Sequence, residues 1–89
     1  MKDLKELLKE LKTNYENKDL SIRLEGSLKM SMQIHNAQCM VTSKVLIISN
    51  SEFILNEEIE ICVDDIIYIE IGDEICLQMN GNYNIFILT

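Results

Sequence analysis

Hydrophobic positions along the chain change period once. Over residues 2–15, Leu4, Leu7, Leu8, Leu11 and Tyr15 recur at the spacing of one helical face, and Lys2, Lys5, Glu6, Lys9, Glu10 and Lys12 occupy the other. Glu6 and Lys9, at i and i+3, are placed to pair. Thr13-Asn14 and Asn17-Lys18-Asp19 end the pattern with poor helix formers. A helix this short is marginal in isolation, so its leucine face is expected to dock on the rest of the domain. Binding a partner is the alternative use of that face.

From Leu20 the period becomes two. Leu20, Ile22 and Leu24 alternate with Ser21, Arg23 and Glu25, then Gly26 permits a bend. Leu28, Met30, Met32 and Ile34 alternate with Lys29, Ser31, Gln33 and His35, and His35-Asn36 reads as a turn. Ala37 to Thr42 is a weaker strand, Val45 to Ile48 is apolar on both faces, and Ser49-Asn50-Ser51 is a turn signal. Phe53-Ile54-Leu55 is a short apolar run, turned by Asn56-Glu57. Ile59, Ile61 and Val63 alternate with Glu58, Glu60, Cys62 and Asp64; Ile67, Ile69 and Ile71 alternate with Ile66, Tyr68 and Glu70. Gly72-Asp73 suits a two-residue hairpin loop before Ile75, Leu77 and Met79. Asn80-Gly81 suits a type I′ turn before a last strand, Tyr83 to Leu88.

No proline interrupts these runs, and consecutive strands with short connections pair as an antiparallel meander. The expected fold is α+β: one domain over residues 1–89, with an amphipathic helix at 2–15. A meander of six or seven strands over 20–88 would follow, curled by its twist into a roll or small open barrel.

Composition narrows the function classes. No apolar stretch reaches the roughly 18 residues needed to span a membrane, and the Lys/Glu-rich start is unlike a signal peptide. Three cysteines, Cys39, Cys62 and Cys76, are an odd number at irregular spacing, which argues against a secreted disulfide framework and makes the cytoplasm the expected compartment. The net charge is −7, but every one of the eight basic residues lies in the first 44 positions, against six acids there, for +2. From Val45 onward nine acids stand without a single Lys or Arg, for −9. Direct nucleic-acid binding by this half is therefore disfavoured, because cations must neutralise phosphates. Solubility alone also accounts for an acidic surface.

Candidate chemistry is sparse. His35, the single histidine, falls on the polar side of a strand with no nucleophile in sequence reach. Cys62 and Cys76 sit among Glu60, Asp64 and Glu74, whose charge disfavours a thiolate, and Cys39 is left without an assigned role. No Cys-x-x-Cys, His pair or calcium-loop pattern points to a metal, and no glycine-rich phosphate cradle points to a nucleotide cofactor. The expected protein is not an enzyme and carries neither cofactor nor metal. A pocket formed by Cys39, His35 and Tyr15 would instead indicate catalysis. What remains is Glu58, Glu60, Asp64, Asp65, Glu70, Asp73 and Glu74. Same-face carboxylates on a strand stand roughly 7 Å apart. Such an array is attracted to a basic groove built for nucleic acid.

The segment Asn17-Lys18-Asp19-Leu20-Ser21-Ile22-Arg23-Leu24-Glu25-Gly26, following the Leu-Lys-Glu helix, resembles the opening of a small phage-encoded anti-CRISPR that inhibits type II CRISPR nucleases. That family also starts with a short helix and an Asn-Lys-Asp segment leading into a strand. The resemblance implies a mobile-element-encoded inhibitor that mimics nucleic acid on a nucleic-acid-binding enzyme. Beyond Gly26 that family carries acidic helices where this chain has strands, so no contact residue of the second half is carried over. Val41 to Ile48, then Ile59 to Ile71, looks like a bacterial pleckstrin-homology-like sheet, and a helix before a small barrel looks like Sm-like domains. Those likenesses are of fold alone, and imply a scaffold that forms homo-oligomers or recruits a protein.

Overall fold

In the computed structural model, residues 3–52 and 57–89 are described. They form one helix and eight antiparallel strands in two sheets. The strands are β1 (Leu20–Glu25), β2 (Lys29–Ile34), β3 (Ala37–Val41), β4 (Val45–Asn50), β5 (Glu58–Cys62), β6 (Ile66–Ile71), β7 (Ile75–Met79) and β8 (Tyr83–Leu88). The larger sheet has the order β2-β1-β8-β7-β6 and the smaller β3-β4-β5. Consecutive strands thus pair within three groups, and the first strand pairs with the last. The chain passes between sheets at β2–β3 and β5–β6, where hydrogen bonding is interrupted, so the ladder is not closed. The expected strand at Phe53-Ile54-Leu55 and the turn residue Asn56 lie outside the described residues.

The helix α1 runs over Leu4–Glu10 and continues as a π-helical turn, Leu11–Tyr15. Asp3 caps it, its Oδ1 accepting the Glu6 N–H at 3.1 Å. The wide last turn contains the poor helix formers Thr13 and Asn14, and closes with the Glu16 N–H donating to Leu11 O at 2.8 Å. Leu7, Leu11 and Tyr15 are buried in the common core, so the helix docks as its periodicity requires. The ion pair that forms on it is Lys12–Glu16 at 2.9 Å.

Both sheets turn one face to this core. Ile22, Ile34, Ile75, Leu77, Ile85 and Ile87 enter from the larger sheet; Ala37, Cys39, Leu46, Ile48 and Ile61 enter from the smaller. The alternation read from the sequence holds on β1, β5 and β7. On β6 it does not. A register shift between Ile66 and Tyr68 buries Ile66 and Ile69 and turns both Ile67 and Tyr68 outward. An inserted residue of this kind flips the facing of everything before it.

Two hairpin loops also differ from expectation. Ile71 pairs with Ile75, leaving three loop residues, with the Gly72 N–H donating to Glu74 O at 3.1 Å. Met79 pairs with Tyr83, and the positive φ falls at Gly81 (100°) and Asn82 (63°) rather than at Asn80. The Asn80 N–H is needed elsewhere: it donates to Asp65 O at 2.7 Å and ties this loop to the turn before β6. Gly26 has a separate role. A Cβ there would stand 2.6 Å from Tyr83 Cβ, so its bareness lets β1 and β8 run close at that end.

A polar cluster fixes the β2–β3 passage. Asn50, the one buried polar side chain among the described residues, donates from Nδ2 to His35 O at 2.5 Å and to Glu57 Oε1 at 3.2 Å. Its Oδ1 accepts the Glu52 N–H at 2.6 Å. Glu57 Oε1 also accepts the His35 N–H at 2.6 Å and lies 3.0 Å from His35 Nδ1. Asn36, with φ 49°, makes the turn between them. Hydrogen bonding from the His35 backbone N–H, then from the His35 ring and Asn50, holds the Glu57 carboxyl below its ordinary value.

Replacing Asn50 by Ala removes the hydrogen bonds that this buried side chain makes to His35, Glu52 and Glu57 and should destabilise the domain by about 1–3 kcal/mol, measured as a lower urea midpoint at unchanged slope. A folded-state pKa below the unfolded one means that the Glu57 contribution is full above the unfolded carboxyl value and is lost as pH falls through the folded one. The difference in stability between wild type and Glu57→Gln should therefore shrink on acidification through that range, read from urea curves at stepped pH.

Candidate functional site

The larger sheet's outer face brings charged side chains from several strands together. Register places Glu70, Cys76, Phe86, Arg23 and Ser31 in one row across five strands. Arg23 lies over the Phe86 ring, 4.7 Å from its centroid. Its guanidinium pairs with Glu25 on the same strand and reaches Glu74 at 4.0 Å. The pairing with Glu25 is poorly directed and leaves the buried Arg23 Nε–H without a hydrogen-bond acceptor. Beside this stack an open hollow of about 480 Å³ is bounded by Glu70, Asp73, Glu74, Cys76, Phe86 and Leu88, with Gly72 at its edge.

Of the seven acids singled out in the sequence, the structure brings Glu70, Asp73 and Glu74 together in this hollow. Glu58 and Glu60 are exposed on the outward side of β5, in the smaller sheet, opposite Ser49 and Ile47 of β4. Asp64 and Asp65 lie in the 3₁₀ turn Val63–Asp65 between the sheets. The carboxylates thus fall into two groups on different sheets, joined through a turn. Among the described residues only Glu74 of the seven pairs with a cation. The field of this region reaches the helix: burial, then Glu10, Glu74 and Asp73, raise the Tyr15 phenol above its ordinary value. Burial, then Glu70 and Glu74, raise the Cys76 thiol.

The remaining candidates separate. Cys39 is buried in the core, and burial with the Glu16 charge pushes its thiol up to about 11, so it is protonated at neutral pH. Its backbone N–H donates to Glu16 Oε2 at 3.1 Å, which, with the Lys12 ammonium acting first, holds the Glu16 carboxyl low. The shallow groove beside Cys39 is lined by Lys12, Glu16, Gln38, Met40 and Ser49, and includes neither His35 nor Tyr15. His35 is occupied with Glu57. No group of His, Cys, Asp or Glu able to hold a metal ion occurs among the described residues, and no helix there is long and apolar enough to cross a membrane.

Sequence reasoning set Cys76 beside Glu74, but missed Arg23 and Phe86 as parts of the acidic surface. Each stood at an outward strand position, but the β1–β8 pairing that aligns them joins opposite ends of the chain. It also missed an apolar hollow of about 200 Å³ between α1 and the strand ends. No protein-family model, curated protein or solved structure matches the chain.

All three cysteines are free, which gives a direct check on these environments. With the folded protein at mildly alkaline pH, a thiol-specific reagent should modify exposed Cys62 first and Cys76 more slowly. Cys39 should react only on unfolding. Mass spectrometry of the digested adduct reads the order, and early labelling of Cys39 would contradict the buried placement.

Proposed function

We propose that this domain is a non-catalytic protein-binding module that inhibits its partner by occupying a basic, nucleic-acid-binding site. The observation that carries the reading is the convergence of Glu70, Asp73 and Glu74 on one hollow beside Phe86. Carboxylates around an aromatic face suit a guanidinium or ammonium, which gains charge-assisted hydrogen bonds and a cation–π contact together. Arg23 already uses this chemistry from one side, on the Phe86 ring and toward Glu74. Glu58 and Glu60 extend the negative field from the other sheet and steer a cationic partner at long range. The same carboxylates repel nucleic acid itself. The likeness of the chain up to Gly26 to an anti-CRISPR supports a mobile-element inhibitor of this class, acting in the cytoplasm where such enzymes work.

A second reading, a scaffold domain of pleckstrin-homology-like or Sm-like shape with its sheets curled as a roll, is favoured by one observation. Leu28, in the β1–β2 hairpin, and Met30, on the edge strand β2 able to pair with another chain, are 72% and 65% exposed. Self-association that persists in high salt, measured by light scattering, would support it over the inhibitor.

Affinity capture from the native host tests the first reading. Wild-type protein should retain a nucleic-acid-binding protein that raised salt releases. The triple variant Glu70→Gln, Asp73→Asn, Glu74→Gln should lose it while keeping its urea midpoint. Retention of the same partner by this folded variant, or retention indifferent to salt, overturns the proposal. Glu58→Gln with Glu60→Gln measures the share of the second acidic group, and a several-fold smaller effect is expected there.

A further inference from the structure

We infer that the hollow between α1 and the strand ends binds the alkyl chain of a medium-chain fatty acid, with the carboxylate held at Lys5. The hollow measures about 200 Å³. From the helix it is lined by Leu4, Leu8 and Leu11, and from the strands and turn by Val41, Leu46 and Val63. Leu11 and Leu46 are buried at its floor, whereas Leu4 and Val41 are 37% and 45% exposed at its mouth. Among the described lining residues, Lys5 alone carries a charge.

The lining sets the ligand class. Ordered water needs two to four polar partners, which these walls do not offer. A peptide segment would bring backbone groups that could not be satisfied there. A hydrocarbon chain needs neither. An apolar cavity of about 150 Å³ accepts benzene, so this volume suits a chain of about eight carbons.

Lys5 selects the head group. It is exposed and has no ion-pair partner among the described residues, unlike Lys12, which is held by Glu16. A lysine stem can lie along an apolar wall with its ammonium in water. Asp64 and Asp65 follow Val63 and precede Ile66, both lining residues, so an anionic head is disfavoured toward that turn. A carboxylate is therefore directed toward the helix side. This site is separate from the acidic hollow, and its test does not depend on any protein partner.

Methyl NMR titration of the full chain with sodium hexanoate, octanoate and decanoate, and with octan-1-ol, decides the matter. Saturable shifts should be confined to the Leu and Val methyls of the hollow. Affinity should rise about fourfold per added methylene from hexanoate to octanoate, then level off as the space fills. Lys5→Gln should weaken octanoate about two- to fivefold and leave octan-1-ol unchanged. Val41→Phe should block the mouth and abolish the shifts; if that variant does not fold, Leu4→Phe at the exposed rim replaces it. Absence of saturable shifts in the millimolar range overturns the inference. So do shifts spread over the surface, equal octanoate affinity in Lys5→Gln, or full binding in a folded mouth-blocking variant.

Discussion

Pairing of the first strand with the last is the constraint on which the other features depend. β1 lies against β8 from Ser21 opposite Leu88 to Glu25 opposite Asn84, with the other six strands between them in the chain. Without that ladder, β1–β2 would be an isolated hairpin, which is marginal in water. β6–β7–β8 would keep its own pairing but lose a neighbour for Ile85 and Ile87. Closing so long a loop costs more entropy than closing a short one, but the increase with length is only logarithmic. Burial of Ile22, Ile85 and Ile87 at the junction offsets it. A topology completed by its two ends has many non-local contacts, which places folding toward the slow end for small domains. The helix then has a floor: Leu7, Leu11 and Tyr15 pack on a core that exists only once both sheets are in place.

The same pairing builds the outer surface. Side chains alternate along a strand, so the register that sends Ile22 and Ile87 inward also sets Arg23 beside Phe86 outside. A slip of one residue would exchange the faces and bury an arginine, which the core has no carboxylate to receive. Gly26 protects the register from the other direction, since a side chain there would collide with Tyr83. Core and acidic hollow are therefore two faces of one set of hydrogen bonds.

Much of this was legible in the sequence. The leucine spacing in the helix, the switch of period at Leu20, and the alternation of Ile59 with Glu58 and Glu60 all carry through to the structure. Asn17 and Asn36 stood in turn positions and adopt the positive φ (66° and 49°) that suits them. What escaped were features set by tertiary contacts. Ile66, Ile67 and Tyr68 carry no local sign of which belongs inside, because all three are large and largely apolar; the bulge decides it. The loops at Gly72 and Asn80 were one residue longer than their dipeptides suggested; the Gly72 N–H closes on Glu74 O within the first, and the Asn80 N–H ties the second to Asp65 O, a contact from a distant part of the chain. Charge was visible as a count, but its division between two sheets required knowing where the chain passes from one to the other.

That division bears on whether the acidic surface is more than a solubilising coat. Solubility is served as well by charges of both signs with a modest net excess. Segregating them instead builds a local negative field, which here reaches Tyr15 from Glu10, Glu74 and Asp73 and Cys76 from Glu70 and Glu74. Two cations among the described residues are already engaged. Lys12 holds Glu16, and Glu16 in turn accepts the Cys39 N–H, so that pair anchors the helix to β3 rather than neutralising the sheet. Arg23 is shared between Glu25 and Glu74 and incompletely hydrogen-bonded. An arrangement that keeps carboxylates together and short of cations leaves a negative field open on one face of the sheet. Solubility gives no reason to concentrate charge in this way; the proposed interface does.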